Sequence, residues 1–168
     1  EAIYLRRHDV KQRIVLMEGF FSESELASIK EFDLEIVVHN SNQVKLLKEY
    51  SNFSAHPTQA IQIWFKVNTG MNRLGFDLAT APKYYQQLLK LVDENKITIA
   101  GIMTHFSSAD EKNNNFTEHQ INKFNKFCDK NAVPCKKIGV MLFANNSVLI
   151  SFACSIICKF LSLFKLEI

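Results

Sequence analysis

Short β-branched runs alternate with amphipathic helical segments along most of this chain, and that alternation limits its fold more than any other feature. RIVLM at 13–17, EIVVH at 35–39, IQIWFKV at 61–67, ITIAGIMTHF at 97–106 and KIGVML at 137–142 read as strands. Helices fill the gaps. Ser22 and Glu25 form a capping box that would open one, and Thr117 with Gln120 repeats the pattern before a stripe of Ile121, Phe124, Phe127 and Cys128. Thr80 and Pro82 start a third helix, with Leu88, Leu89 and Val92 inward, and residues 41–50 carry Val44, Leu47 and Tyr50 in the same way. Strand starts roughly 20 to 40 residues apart, with a helix between each pair, call for parallel strands joined by right-handed crossovers. A doubly wound sheet and a piece of a (β/α)8 barrel both satisfy this, and periodicity does not choose between them.

The composition is that of a water-soluble globular domain: 47% apolar and 22% charged over 168 residues. A net charge of +3, with no face rich in Lys and Arg, argues against a nucleic-acid partner. Cys128, Cys135, Cys154 and Cys158 show no metal-ligand spacing and read as thiols of a reducing compartment. The chain opens at Glu1 inside an amphipathic segment and shows no signal peptide, which suggests an internal piece of a longer protein.

Polar residues gather where the strands end. His39, Lys66, His105 and Asn145 all fall at or just past a strand's carboxyl end, the side on which either architecture builds its site. In IQIWFKV, Gln62, Trp64 and Lys66 share one face; in the next strand Ile99, Gly101, Met103 and His105 should do the same. Lys66 and Arg73 flank a small Asn-Thr-Gly turn in an otherwise apolar, glycine-bounded stretch. Taken singly they could be a snorkelling lysine and a surface cation, and His105 a core histidine. Two cations at one strand end more often serve an anion.

The segments KVNTGMNRLGF (66–76), MTHFSSADE (103–111) and FANNS (143–147), with the opening IVLMEGFFSESEL and VVHN, resemble successive signature segments of alanine racemase. The resemblance runs in order from about Glu1 to Ser147. It implies a partial (β/α)8 TIM barrel, about five of eight units, in residues 1–147, from a cytoplasmic enzyme that uses pyridoxal 5'-phosphate to interconvert L- and D-alanine for peptidoglycan. The family works as a homodimer with shared sites. By resemblance, Arg73 would donate to the cofactor's phenolic oxygen near the substrate carboxylate, and His105 would lie by the pyridine ring. Lys66 matches a lysine that the family often carbamylates. Asn145 matches a cofactor-site asparagine, and Asn146 stands where a phosphate-contacting serine is expected, with Ser147 one position later. Asn68 replaces the family's usual aspartate and removes one anion from the neighbourhood of Arg73.

The resemblance also implies parts that these residues do not contain. Nothing matches the KANAYGHG-like segment whose lysine links the cofactor, nor the last barrel strand, nor the C-terminal domain whose tyrosine is the opposite-face base. Catalytic residues are therefore expected to be absent, and the chain alone to be inactive. Residues 148–168 do not continue the family pattern. Their composition fits out-of-frame translation of AT-rich coding sequence better than a packed helix or a membrane segment, in which Lys159 would fall mid-span. A PLP-binding barrel of the cofactor-homeostasis type, without enzymatic activity, is the alternative; the NTGMNRLG run favours the racemase. No metal site is expected.

Overall fold

The structure is a computed structural model that describes residues 1–53, 60–109, 115–133, 138–144 and 147–152. Its elements run α1 (Ala2–Arg7), β1 (Val15–Leu16), α2 (Glu23–Glu31), β2 (Glu35–Val38), α3 (Ser41–Phe53), β3 (Ile61–Asn68), β4 (Phe76–Asp77), α4 (Ala81–Asp93), β5 (Ile97–His105), α5 (Phe116–Lys130), β6 (Ile138–Ala144) and β7 (Ser147–Phe152). The strands β1, β2, β3, β5 and β6 lie side by side in chain order, each parallel to the next. Sequential order is that of a barrel wall; a doubly wound sheet reverses direction partway.

The sheet has two unequal faces. On one, Ile36, Val38, Ile63, Phe65 and Ile102 form a single core with Leu26 and Ile29 of α2, Val44 and Leu47 of α3, Tyr85 and Leu88 of α4, and Phe124 and Phe127 of α5. The other holds a small cluster of Val37, Trp64 and Met103, flanked by Val15, Met17 and Ala100. This is the concave face of a barrel wall. Trp64 would strand its indole N–H there, but Nε1 donates to Glu35 Oε2 at 2.6 Å. The buried Glu35 carboxylate is also held by the Arg13 guanidinium, with Nη2 donating to Oε2 at 2.8 Å, and that guanidinium lies 5.7 Å over the Trp64 ring.

Three helices return to the sheet by one device. Asp33, Asn95 and Ala132 follow α2, α4 and α5 with φ of 47°, 55° and 49°. Leu34 N–H then donates to Ile29 O, Lys96 N–H to Leu91 O and Val133 N–H to Cys128 O, which is the long bond of a Schellman turn. The shorter bonds, Asp33 to Lys30, Asn95 to Val92 and Ala132 to Asp129, complete each motif. Repetition of the turn repeats the crossover geometry, which is what lays successive strands side by side.

The structure corrects two expectations. Ile63 pairs with Ile99 but Trp64 pairs with Gly101, so Ala100 is an extra residue in β5. The bulge resets the face: Ile99 joins the helix-side core while Met103 lies in the concave cluster. In α5 the N-cap is Asn115, not Thr117, and Gln120 is fully buried and engaged elsewhere. Beyond β6, residues 147–152 form β7, antiparallel to β6 from Ala144↔Ser147 to Gly139↔Phe152. Its SVLISF sequence is rich in residues that suit a pleated surface.

Candidate functional site

Lys66 lies near the carboxyl end of β3 and is only 3% exposed. It pairs with Met103 of β5, and His105 lies two residues further along that strand, 7% exposed. Arg73 sits on the exposed segment between β3 and β4. That segment cannot wander, because β4 comes back parallel beside the strand it left, pairing Phe76 with Val67 and Asp77 with Asn68. Phe76 stacks on Phe65 at 4.8 Å and pins the return. The loop therefore stays over the carboxyl end of β3, and Arg73 with it.

Electrostatics show that the three groups share one neighbourhood. Burial lowers the Lys66 amine below its usual range, and the positive charge of Arg73 lowers it further. His105 falls from 6.5 to about 4, through burial first and then through repulsion by Lys66 and by Arg73. At neutral pH the imidazole is thus uncharged. A cluster in which each cation raises the cost of the next is complementary to an anion, which would relieve that repulsion. Phenolate, phosphate and carboxylate groups all meet the description, so the residues present fit pyridoxal 5'-phosphate and an amino-acid substrate.

Asn68 organises the loop. Its Oδ1 accepts from the N–H groups of Gly70 at 3.0 Å and Asn72 at 3.1 Å, while Nδ2 donates to Asn72 Oδ1 and to Asp77 Oδ1, both at 2.9 Å. The side chain is spent on the loop and on Asp77. An amide suits this place better than a carboxylate would, since a carboxylate would face Asp77 without a donor. The neutral side chain at position 68 also avoids a repulsion against Asp77.

Sequence reasoning missed the residues behind the site. Thr69 and Thr104, both buried, bond through their hydroxyls at 2.8 Å, and Thr104 Oγ1 donates to Val67 O at 2.9 Å. Gln120 donates to Thr69 Oγ1 at 3.2 Å and to His105 O at 3.1 Å, and its Oε1 accepts from Ser107 N–H at 3.1 Å. The available signal was a polar side chain on the apolar stripe of α5. His39 is engaged locally, its Nε2 3.0 Å from Glu18 O. The structure thus brings together Lys66, Arg73 and His105; Asn145 and Asn146 lie outside the described residues. Among the described residues no group of His, Cys, Asp and Glu could hold a metal ion, and no helix is long and apolar enough to cross a membrane.

One consequence can be measured without any ligand. The unfolded chain protonates His105 near 6.5, whereas the folded chain resists until about 4. Stability supplied by the neutral imidazole is present above 6.5 and is lost as pH falls through that window, by up to about 3 kcal/mol. Below 4 this group adds no further loss. Urea unfolding of the wild type and of His105→Gln at pH 7, 5.5 and 4.5 should show the variant with the flatter pH dependence.

The sequence profile described as "Alanine racemase, N-terminal domain" matches residues 1–153. An alanine racemase of Coxiella burnetii (strain CbuG_Q212) is 39% identical over 130 residues, which are 77% of this chain and 34% of that protein. One from Pseudoalteromonas atlantica is 35% identical over 151 residues, 90% of this chain and 38% of the relative. Among solved structures, the biosynthetic alanine racemase of Pseudomonas aeruginosa superposes with a TM-score of 0.69 at 26% identity, covering 83% of this chain and 36% of that one. Alanine racemase from E. faecalis gives 0.67 at 25% identity, covering 84% and 36%. The chain spans about a third of the length of the curated relatives it matches. With the barrel wall in sequential order and the profile covering nearly all of it, the chain belongs to the alanine racemase family, within its N-terminal domain.

Proposed function

We propose that this chain supplies one side of a site in which pyridoxal 5'-phosphate and alanine are held for interconversion of L- and D-alanine. The supporting observation is the cluster of a buried Lys66 and a buried, uncharged His105 under the positive charge of Arg73. Arg73 would donate to the cofactor's phenolic oxygen near the substrate carboxylate. His105, neutral at physiological pH, would lie by the pyridine ring without adding a charge to it. Lys66 reacts as the neutral amine with carbon dioxide, forming a carbamate N–C bond and releasing a proton; the resulting anion fixes Arg73. Asn145 and Asn146 serve the cofactor's polar and phosphate groups. Pyridoxal 5'-phosphate, when bound, would supply an electron sink for the alpha carbon of the amino acid.

Residues 1–147 constitute the partial barrel in this reading, and 148–168 a separate apolar tail. In support, among the described residues the parallel repeat ends with β6, and β7, which begins at Ser147, runs the other way. The parent activity would be a cytoplasmic one, providing D-alanine for peptidoglycan as a homodimer. These 168 residues contain neither the cofactor-linking lysine segment nor an opposite-face tyrosine that the resemblance identifies. Incubated with pyridoxal 5'-phosphate and borohydride, the chain should show weak labelling scattered over surface lysines, and with L-alanine no D-alanine. Stoichiometric labelling of one lysine, or turnover, would show that a residue within the chain takes the missing role.

A further inference from the structure

We propose that Gln120 is the positioning residue of this site: its carboxamide fastens the loop after β3 to the end of β5 and so sets Lys66 and Arg73 against His105. The inference rests on the reading of those three residues as the functional cluster. Gln120 is fully buried, and both ends of its amide are used. The bonding is directional. Thr104 donates its hydroxyl proton to Val67 O, so the Thr69 hydroxyl must donate to Thr104, which leaves the Thr69 oxygen to accept from Gln120. Thr69 lies on the segment joining Lys66 to Arg73, while His105 O closes β5 and Ser107 N–H lies two residues beyond it. One side chain thus spans both halves of the cluster. Gly70 keeps the approach open, because a Cβ there would meet the Phe116 ring of α5 at 3.0 Å and Gln120 Cγ at 3.8 Å.

The molecule contains a second device of the same make. Gln43, 1% exposed in the first turn of α3, donates to Glu18 O at 3.0 Å and Phe20 O at 3.1 Å and accepts from His39 N–H at 2.9 Å. It ties the end of β2 to the loop after β1, and Gly19 stands against it, where a Cβ would lie 2.5 Å from Nε2. Both glutamines replace water at a buried loop crossing, and losing either strands several backbone and hydroxyl groups. Only the Gln120 clasp carries the Lys66–Arg73–His105 cluster. Gln43 is therefore a control of equal chemistry at a different place.

The readout is the proton affinity of His105 in the 168-residue chain, measured for each histidine by C2 hydrogen exchange and mass spectrometry at micromolar concentration. Lys66 from β3 and Arg73 from the following loop are the charges that act on His105. Its other strand neighbour, β6, has no ionisable residue in 138–144, and Glu118 and His119 on α5 are not buried. Gln120→Leu should let the loop lift, admit water and raise the His105 proton-binding constant at least about tenfold. Gln43→Leu should leave it unchanged at a similar loss of stability. If Gln120→Leu does not fold, Thr69→Val, which keeps the shape and removes the acceptor, should move His105 in the same direction. Equal shifts in the Gln120 and Gln43 variants, no shift in a folded Gln120 or Thr69 variant, or loss of fold in Thr69→Val as well would each overturn the proposal. The functional reading is tested separately, by D-alanine formation in the full-length Coxiella burnetii relative carrying residues 61–109 of this chain. A selective His105 shift without that activity leaves the clasp standing and removes the functional reading; activity without the shift does the reverse.

Discussion

Truncating Phe65 to alanine should destabilise the chain by about 3–5 kcal/mol, a large share of the roughly 5–15 kcal/mol that holds an ordinary domain folded. Phe65 is fully buried and stacks on Phe76 at 4.8 Å, with Tyr85 at 5.4 Å and Phe127 at 6.1 Å. Those partners come from β4, α4 and α5, so a single ring joins the middle strand to two helices and to the return of the loop that carries Arg73. No smaller neighbour can collapse into the space without moving one of these elements. Trp64 is the chain's one tryptophan and adjoins the site of mutation, so urea unfolding can be followed by its fluorescence. Phe21, 71% exposed, gives the contrast: its alanine variant should stay within about 0.5 kcal/mol of wild type. A Phe65→Ala chain as stable as Phe21→Ala would contradict the packing described.

Gly75→Ala should cost about 2–3 kcal/mol and disturb the site as well as the fold. Gly75 has φ +124°, and a Cβ there would stand 2.8 Å from Asn68 N and 2.9 Å from Val67 C. Both obstacles are backbone, so the loop itself must lift from β3, and Arg73, two residues earlier, moves with it. His105 should then bind its proton more readily, because part of its suppression comes from Arg73. Gly70→Ala is the comparison. Its φ of +139° is also strained, but its steric neighbour is the end of the Phe116 ring, which can turn aside. Denaturation of the two variants should place Gly75→Ala below Gly70→Ala, with the larger rise in His105 proton affinity. The reverse order would mean that the loop is not seated on β3 through Gly75.

Neither glycine's role is visible in the residue string, whereas much of the frame around them is. The strands followed from β-branched runs such as EIVVH and IQIWFKV, and their parallel direction from the helices between them; their sequential order came only with the family resemblance, because periodicity fits a doubly wound sheet equally well. Lys66 and His105 stood out because each interrupts an apolar run at a strand end. The bulge at Ala100 did not, because an extra residue in an apolar stretch leaves the composition unchanged while reversing which face Ile99 joins. Helix ends at Asp33, Asn95 and Ala132 carried no glycine to mark them; Asp and Asn tolerate φ above zero, and Ala132 accepts the strain for its Schellman bonds. Gln120 fitted a capping box by spacing alone, and only tertiary packing showed Thr69 and His105 as its partners. The neutral Asn68 read as a lost charge because its partner Asp77 lies nine residues on.

The most direct test of the central claim, that Lys66, Arg73 and His105 form a working part of a racemase site, is transplantation. Residues 61–109 would replace the aligned segment in the full-length Coxiella burnetii relative, which supplies every other part of the enzyme. The chimera should bind pyridoxal 5'-phosphate and form D-alanine from L-alanine, followed by coupled oxidation of the D-isomer. Arg73→Ala within it should lower kcat/KM by about 10²–10³-fold with the cofactor still bound. A folded, cofactor-loaded chimera that forms no D-alanine, or one whose Arg73→Ala variant is as active as its parent, would contradict the account.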